Sequence, residues 1–268
     1  MPKNFIELLD LFAGSLVYWQ PHQVLGLSLL LAALVPGTVQ LLCLHPRIWA
    51  RLRSMHGVEP AMIGSVAVLF SLFAAFLAND IWARNQAAHT AVEREADGIQ
   101  MMVRLTDGLV DAESKLMRRA LEGHVTIAVE DEWPRMLEGQ ASKKADAKIS
   151  AIAATIITFE VGKSEGPEFQ SRLLGAFNQI RENWRIRIAI AQDRKLSIKW
   201  YGALLFGLLT QISIGVVHIS NRRAMLVAQV IFGIAFAMLS AMLFVNEFPF
   251  SQMAPISVAP LQAALSKS

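Results

Sequence analysis

Four stretches of this chain carry no charged residue for long enough to cross a bilayer, and they constrain its fold more than any other feature. They run from Val24 to Leu44, Ala61 to Asn79, Trp200 to Val217 and Ala224 to Asn246. A helix needs roughly 18–20 apolar residues to span the hydrocarbon core. Only helices and closed barrels satisfy their own backbone in lipid, and these runs are too long and unbroken to be barrel strands. The same runs would fit four buried helices of a large soluble protein, but such helices usually keep a polar face. Charge is scarce overall and concentrated in the middle of the chain. The sequence therefore predicts an all-α membrane protein, with four transmembrane helices in two hairpins and an intervening soluble helical domain. The expected segments are an N-terminal interfacial helix over 1–22, a first hairpin over 23–82, a soluble domain over 83–198, a second hairpin over 199–247 and a C-terminal tail over 248–268.

Short basic loops join each pair of spans. His45 to Pro60 carries Arg47, Arg51 and Arg53, and Ser220 to Arg223 carries Arg222 and Arg223. Read alone, the positive-inside rule puts both loops in the cytoplasm and the middle domain outside. Arg84, Arg185, Arg187, Arg194, Lys195 and Lys199 also lie near the spans and pull the other way. Lys and Arg flank the apolar runs rather than forming one patch, so the charge reads as topology and not as nucleic-acid binding. The N-terminus has one lysine, and Glu7 and Asp10 interrupt its apolar residues, unlike a cleaved signal peptide. Phe5, Leu8, Leu9, Phe12, Leu16 and Trp19 recur at helical spacing, which suits a helix lying along the membrane or packed on the bundle.

The middle domain reads as helices. Trp82 to Leu121 is rich in good helix formers and continues the second span, with Gly123 as a stop. Asp131-Glu132-Trp133-Pro134 starts a new element, with Pro134 in a first turn. Ala141 to Val161 is a helix, Gly162 to Pro167 a turn, and Pro167 to Lys195 a last long helix.

Catalytic signatures are lacking. The histidines His22, His45, His56, His89, His124 and His218 show no zinc-site spacing, and the lone Cys43 forms no thiolate pair. No phosphate-binding glycine loop or nucleophile elbow occurs. We therefore expect no enzyme activity, no metal and no cofactor.

The informative residues lie in the spans. Gly233, Ala237 and Ala241 are small residues four apart, as are Ala67, Ser71 and Ala75. Such stripes let helices approach closely, within one chain or between copies. Phe70, Phe73 and Leu77 share a face of the second span, which Asp80 continues, with Arg84 one turn on. That face suits an apolar neck around an oligomer axis with Asp80 and Arg84 at its mouth. It also suits packing against lipid or neighbouring helices, which is the commoner use of aromatic stripes. Gln211, Ser213 and Gln229 are polar at membrane depth, suited to helix-to-helix hydrogen bonds or a water path. No ionisable residue lies mid-span, which argues against a proton-coupled pump.

Several passages together resemble one family. They are His56-Gly57-Val58 through Phe76-Leu77-Ala78 to Trp82, then Glu93 and Glu95-Ala96; Glu132-Trp133-Pro134-Arg135-Met136 with Gly139; and Arg185-Ile186-Arg187 ahead of Trp200. The last is Glu247-Phe248-Pro249-Phe250-Ser251 followed by Pro255-Ile256-Ser257-Val258. In order and spacing they resemble the bestrophin-like domain family of bacterial membrane proteins. Ile198-Lys199 departs from it, because the family tends to place a proline shortly before that tryptophan. The resemblance implies the same two-plus-two arrangement of spans, a cytoplasmic middle domain, and a location in the bacterial inner membrane. Bestrophins proper look like pentameric anion channels with an apolar neck on the second span. The expectation is a homo-oligomer in the lipid bilayer that passes small anions. The competing expectation is a non-conducting scaffold or sensor whose helical domain binds a partner.

Overall fold

The computed structural model describes residues 19–45, 60–107, 111–158, 166–194, 196–253 and 255–266. The expected N-terminal interfacial helix, most of the first loop and most of the 162–167 turn lie outside these residues. Among the described residues the structure is helical and has no strand. The helices are α1 (Pro21–Leu44), α2 (Pro60–Thr106), α3 (Asp111–Ile127), α4 (Trp133–Leu137), α5 (Lys143–Thr158), α6 (Gly166–Gln192), α7 (Ile198–Val217), α8 (Arg222–Glu247) and α9 (Ala259–Ser266). A π-helical segment, Ala128–Glu132, joins α3 to α4. Three helices are long and apolar enough to cross a membrane: α2, α7 and α8.

The chain divides into two compact units: Met1–Ala83 with Lys195–Glu247, and Arg84–Arg194 with Phe248–Ser268. In the first unit, α8 packs along α1 and α7, and α1 also touches α7. Pro36 lies inside α1, as prolines more often do in membrane-spanning helices than in soluble ones. Ser197 caps α7 by accepting the Lys199 N–H, and Asn221 caps α8 by accepting the Ala224 N–H.

In the second unit, α3 packs on α5, α5 on α6, and α9 on α3. The core holds Ile99, Met102, Met117, Leu121, Ile152, Leu173 and Ile180. Phe250, Ile256, Leu261 and Ala264 are buried in the same core, so the C-terminal segment is part of this unit rather than a separate tail. At Gly98, an added Cβ would lie 2.8 Å from Ile180 Cγ1 and 3.2 Å from the Ala176 carbonyl, which shows how closely α2 and α6 approach.

Two expectations for the middle domain need correction. The helix from Trp82 does not reach Leu121; it stops at Thr106 and a new helix starts at Asp111. Gly123 is no stop, because α3 runs through it to Ile127 with Lys148 packed 3.3 Å from its would-be Cβ. Asp131 to Pro134 does start an element, since α4 begins at Trp133 with Pro134 in its first turn. The helical path continues from α3 into α4 through the π turn, where the Trp133 N–H donates to the Ala128 carbonyl five residues back. The wider turn relieves Pro134, which has no N–H and would crowd a regular helix.

Candidate functional site

In the first unit, the aromatic candidates of α2 lie against α7 and α8. Phe70 is 5.6 Å from Phe232 and 5.5 Å from Phe236, while Phe73 lies 4.9 Å from Phe206. Gly202 and Gly207 make room, since a Cβ on either would meet Phe73 or Phe236 at 2.7 Å. Phe70 and Leu77 are buried and Phe73 is half-buried. The opposite side of α2 is bare: Val68, Leu72 and Phe76, four apart, are 66%, 47% and 52% exposed. The two small-residue stripes part company. Gly233, Ala237 and Ala241 continue a buried seam of α8 with Met225 and Gln229. Ala67 is half-buried, and Ser71 and Ala75 are exposed beside the bare row.

Asp80 pairs with Lys199 at the start of α7. Arg84 belongs to the second unit, where it meets the Asp193 carboxylate at 3.3 Å and donates to the Ile190 carbonyl. The polar groups at membrane depth bond locally. Gln211 and Gln229 each donate to the other's backbone carbonyl, at 3.2 and 3.4 Å, and Ser213 donates to Leu209.

The second unit contains a cluster that no sequence motif marks. Arg187 on α6 is fully buried. Its Nε and Nη2 donate to the two oxygens of Glu95 on α2, at 2.9 and 3.1 Å. The same Nη2 donates to Glu132 Oε2 at 2.7 Å, and the other Glu132 oxygen accepts the Trp184 indole N–H at 2.8 Å. Nη1 lies 2.9 Å from Met136 Sδ, and the guanidinium sits 5.1 Å from the centre of the Trp133 ring. His124 on α3 places Nε2 3.0 Å from Glu95 Oε1. A carboxylate only accepts, so Nε2 carries the proton of this bond. His124 Nδ1 is buried with no hydrogen-bond partner among the described residues.

Electrostatics and local backbone explain the cluster. Burial pushes the Glu95 carboxyl up, but the Arg187 charge and the hydrogen bonds from His124 and Arg187 outweigh it and hold Glu95 below its ordinary value. Burial pulls Arg187 down, and the Glu95 and Glu132 carboxylates more than reverse this. The π turn aims Glu132 inward, because one extra residue per turn rotates the side chains beyond it about the helix axis. Gly139 closes the segment at φ +73°, with the Arg194 side chain against it, and Arg194 donates to the Met136 and Leu137 carbonyls. Closed to solvent and lacking a nucleophile, the cluster is suited to lock α2, α3, α4 and α6 in register rather than to transform a substrate. The guanidinium fills the place between the carboxylates that a cation would take. Among the described residues no group of three His, Cys, Asp or Glu side chains is placed to hold a metal.

Glu95, Glu132, Trp133, Met136 and Arg187 all come from the passages that carry the family resemblance. Phe250, from the last passage, meets Trp133 edge-on at 5.7 Å. Sequence reasoning missed their convergence, although a signal existed. Glu95 sits on the apolar stripe Ala88, Val92, Ile99, Met102, and Arg187 on the stripe Ile180, Trp184, Ala191. A charge on the buried face of each of two helices predicts a buried pair.

An all-helical chain with three apolar helices of membrane-crossing length, together with a helical unit closed around a buried ion cluster, has the makings of a membrane protein with an extramembrane domain. A family model for the bestrophin-like domain matches residues 32–261, and the chain belongs to that family. A crystal structure of a point mutant of a bacterial bestrophin homologue from Klebsiella pneumoniae superposes with a TM-score of 0.62 at 11% identity, covering 92% of this chain and 98% of that one. A crystal structure of a point-mutated membrane protein superposes with a TM-score of 0.66, also at 11% identity, covering 92% and 96%. At that identity the likeness is one of fold. Among curated protein sequences none matches this chain.

Proposed function

We propose that this protein is a homo-oligomeric passive anion channel of the bacterial inner membrane, with α1 as its fourth span and an apolar neck formed by α2. The observation that carries the reading is the bare row Val68, Leu72 and Phe76, on a helix whose other side is packed against its own chain. A side chain that lines an axis between copies must be exposed on each copy alone. In this reading Val68, Leu72 and Phe76 line the neck, and Phe70, Phe73 and Leu77 brace it from behind. Asp80 and Arg84 stand beyond the neck at the mouth. Small Ala67, Ser71 and Ala75, beside the row, let neighbouring copies approach. Family membership supports the anion assignment, and the lack of charge from 61 to 79 suits a dewetting constriction over a pump.

The test is current across a planar bilayer containing the purified protein, under anion gradients and a range of voltages and calcium levels. The channel reading expects anion-selective current that rises in Leu72→Ala or Phe76→Ala. Protein that is folded, inserted and silent under all conditions overturns it and turns attention to a scaffold or sensor.

A further inference from the structure

The second unit carries an open groove of about 610 Å³ between α5 and α6. Its floor is apolar, with Ile149, Phe177 and Ile188 buried there. At its wall Ile157 is 81% exposed, a large apolar side chain in water outside the apolar spans. Two exposed cations, Arg181 and Arg185, line it one helical turn apart, and neither has a partner among the described residues.

The same unit presents a complement elsewhere on its surface. Glu93, Asp97 and Met101 form an exposed row on α2, four residues apart, and neither acid has a partner among the described residues. Residues four apart on a helix lie about 5–6 Å from each other. The acid pair therefore matches the arginine pair in spacing as well as in sign, yet the two pairs do not meet within one chain. A helix laid along the groove engages both pairs at once and brings Met101, a flexible side chain that adapts to irregular surfaces, towards the apolar floor. Each surface also carries a charge of the other sign, Asp146 on the α5 wall and Arg94 beside the acids, so the fit is one of register and not of bulk charge.

We propose that the Glu93–Asp97–Met101 row of one copy docks into the α5–α6 groove of the next copy, with Glu93 and Asp97 on Arg181 and Arg185. The two surfaces differ, so the contact is head-to-tail, and such contacts close into rings when the rotation permits. This rests on the oligomeric reading above and names one of its contacts.

Full-length protein in detergent or nanodiscs, weighed by native mass spectrometry across a concentration series, tests it. R181E/R185E is expected to shift assembly to concentrations about tenfold higher or more, because like charges then face each other. E93R/D97R should do the same, and the fourfold swap should restore wild-type assembly. R181Q/R185Q serves where a reversal fails to fold, and it too should weaken assembly. Assembly unchanged by any of these in an oligomeric wild type overturns the docking contact and leaves the channel reading standing. A fourfold swap that melts like wild type but stays dissociated also overturns it. A monomeric wild type removes the oligomeric reading itself.

Discussion

The two units bury polarity in opposite ways. In the first, the polar side chains described at membrane depth are neutral and donate within their own helix or to the one beside it, as Ser71, Thr210, Ser213 and the Gln211–Gln229 exchange show, while the Oε1 atoms of Gln211 and Gln229 stay buried without a partner among the described residues. In the second, a guanidinium, two carboxylates and an imidazole lie together without solvent contact. The difference follows from the alternatives open to each unfolded chain. Apolar helices in lipid gain little from burial as such, so shape decides how they pack, and Gly202, Gly207 and the Gly233–Ala237–Ala241 seam provide it. A helical bundle held by apolar contacts alone collapses readily in more than one register. A buried charge cluster that closes in only one register selects among them, at a cost in desolvation.

The sharpest way to break that contrast is Arg187→Ala. It strands Glu95 and Glu132 as buried charges and is expected to destabilise the second unit by about 3–5 kcal/mol, read by hydrogen exchange localised to residues 84–194. The triple change E95M/E132L/R187M removes all three charges and should cost much less than R187A. An equal loss would mean that packing, and not charge, governs the site. Acid probes the same cluster. An unfolded glutamate titrates near about 4.3, and Glu95 is held below its ordinary value in the fold. Its contribution is complete above the unfolded value and is lost as pH falls through the folded one. The melting temperature of the second unit should therefore hold steady from neutral pH and fall below about pH 4, with a shallower fall in E95Q.

In the first unit, Phe70→Ala empties the Phe70–Phe232–Phe236 cluster. The loss should stay below the about 3–5 kcal/mol of a water-soluble core, since lipid and protein interior are similarly apolar. Steric-trap unfolding in bicelles would measure it, and a larger loss would blur the contrast between units. The smallest expected effect is Ser142→Ala. Ser142 accepts the Ala145 N–H at the start of α5 and donates to Asp131, so about 1 kcal/mol should be lost in thermal melts.

Much of the helical layout was legible because charge-free runs and helix formers are local signals. The second-hairpin helices begin and end within two residues of the runs read from sequence. The break after Thr106 was not legible, since residues 82–121 are helix formers throughout. The start of α4 was legible from Pro134, while nothing local reveals the π turn before it. The bare row on α2 was hidden because α2 is apolar on both sides there. Only tertiary packing tells Phe70, buried against Phe232, from Leu72, which stays 47% exposed. The buried cluster joins residues 55 and 92 positions apart, beyond the reach of any periodicity.

The second unit is built from two pieces of chain, with Phe248–Ser268 made only after both helices of the second hairpin. On the ribosome, residues 84–194 emerge with part of their core missing. At about 5–20 residues per second they must wait several seconds for Phe250, Ile256 and Leu261. A chain that ends within the second hairpin lacks these residues and leaves that core incomplete. The discontinuity thus ties completion of the domain's core to synthesis of the whole second hairpin.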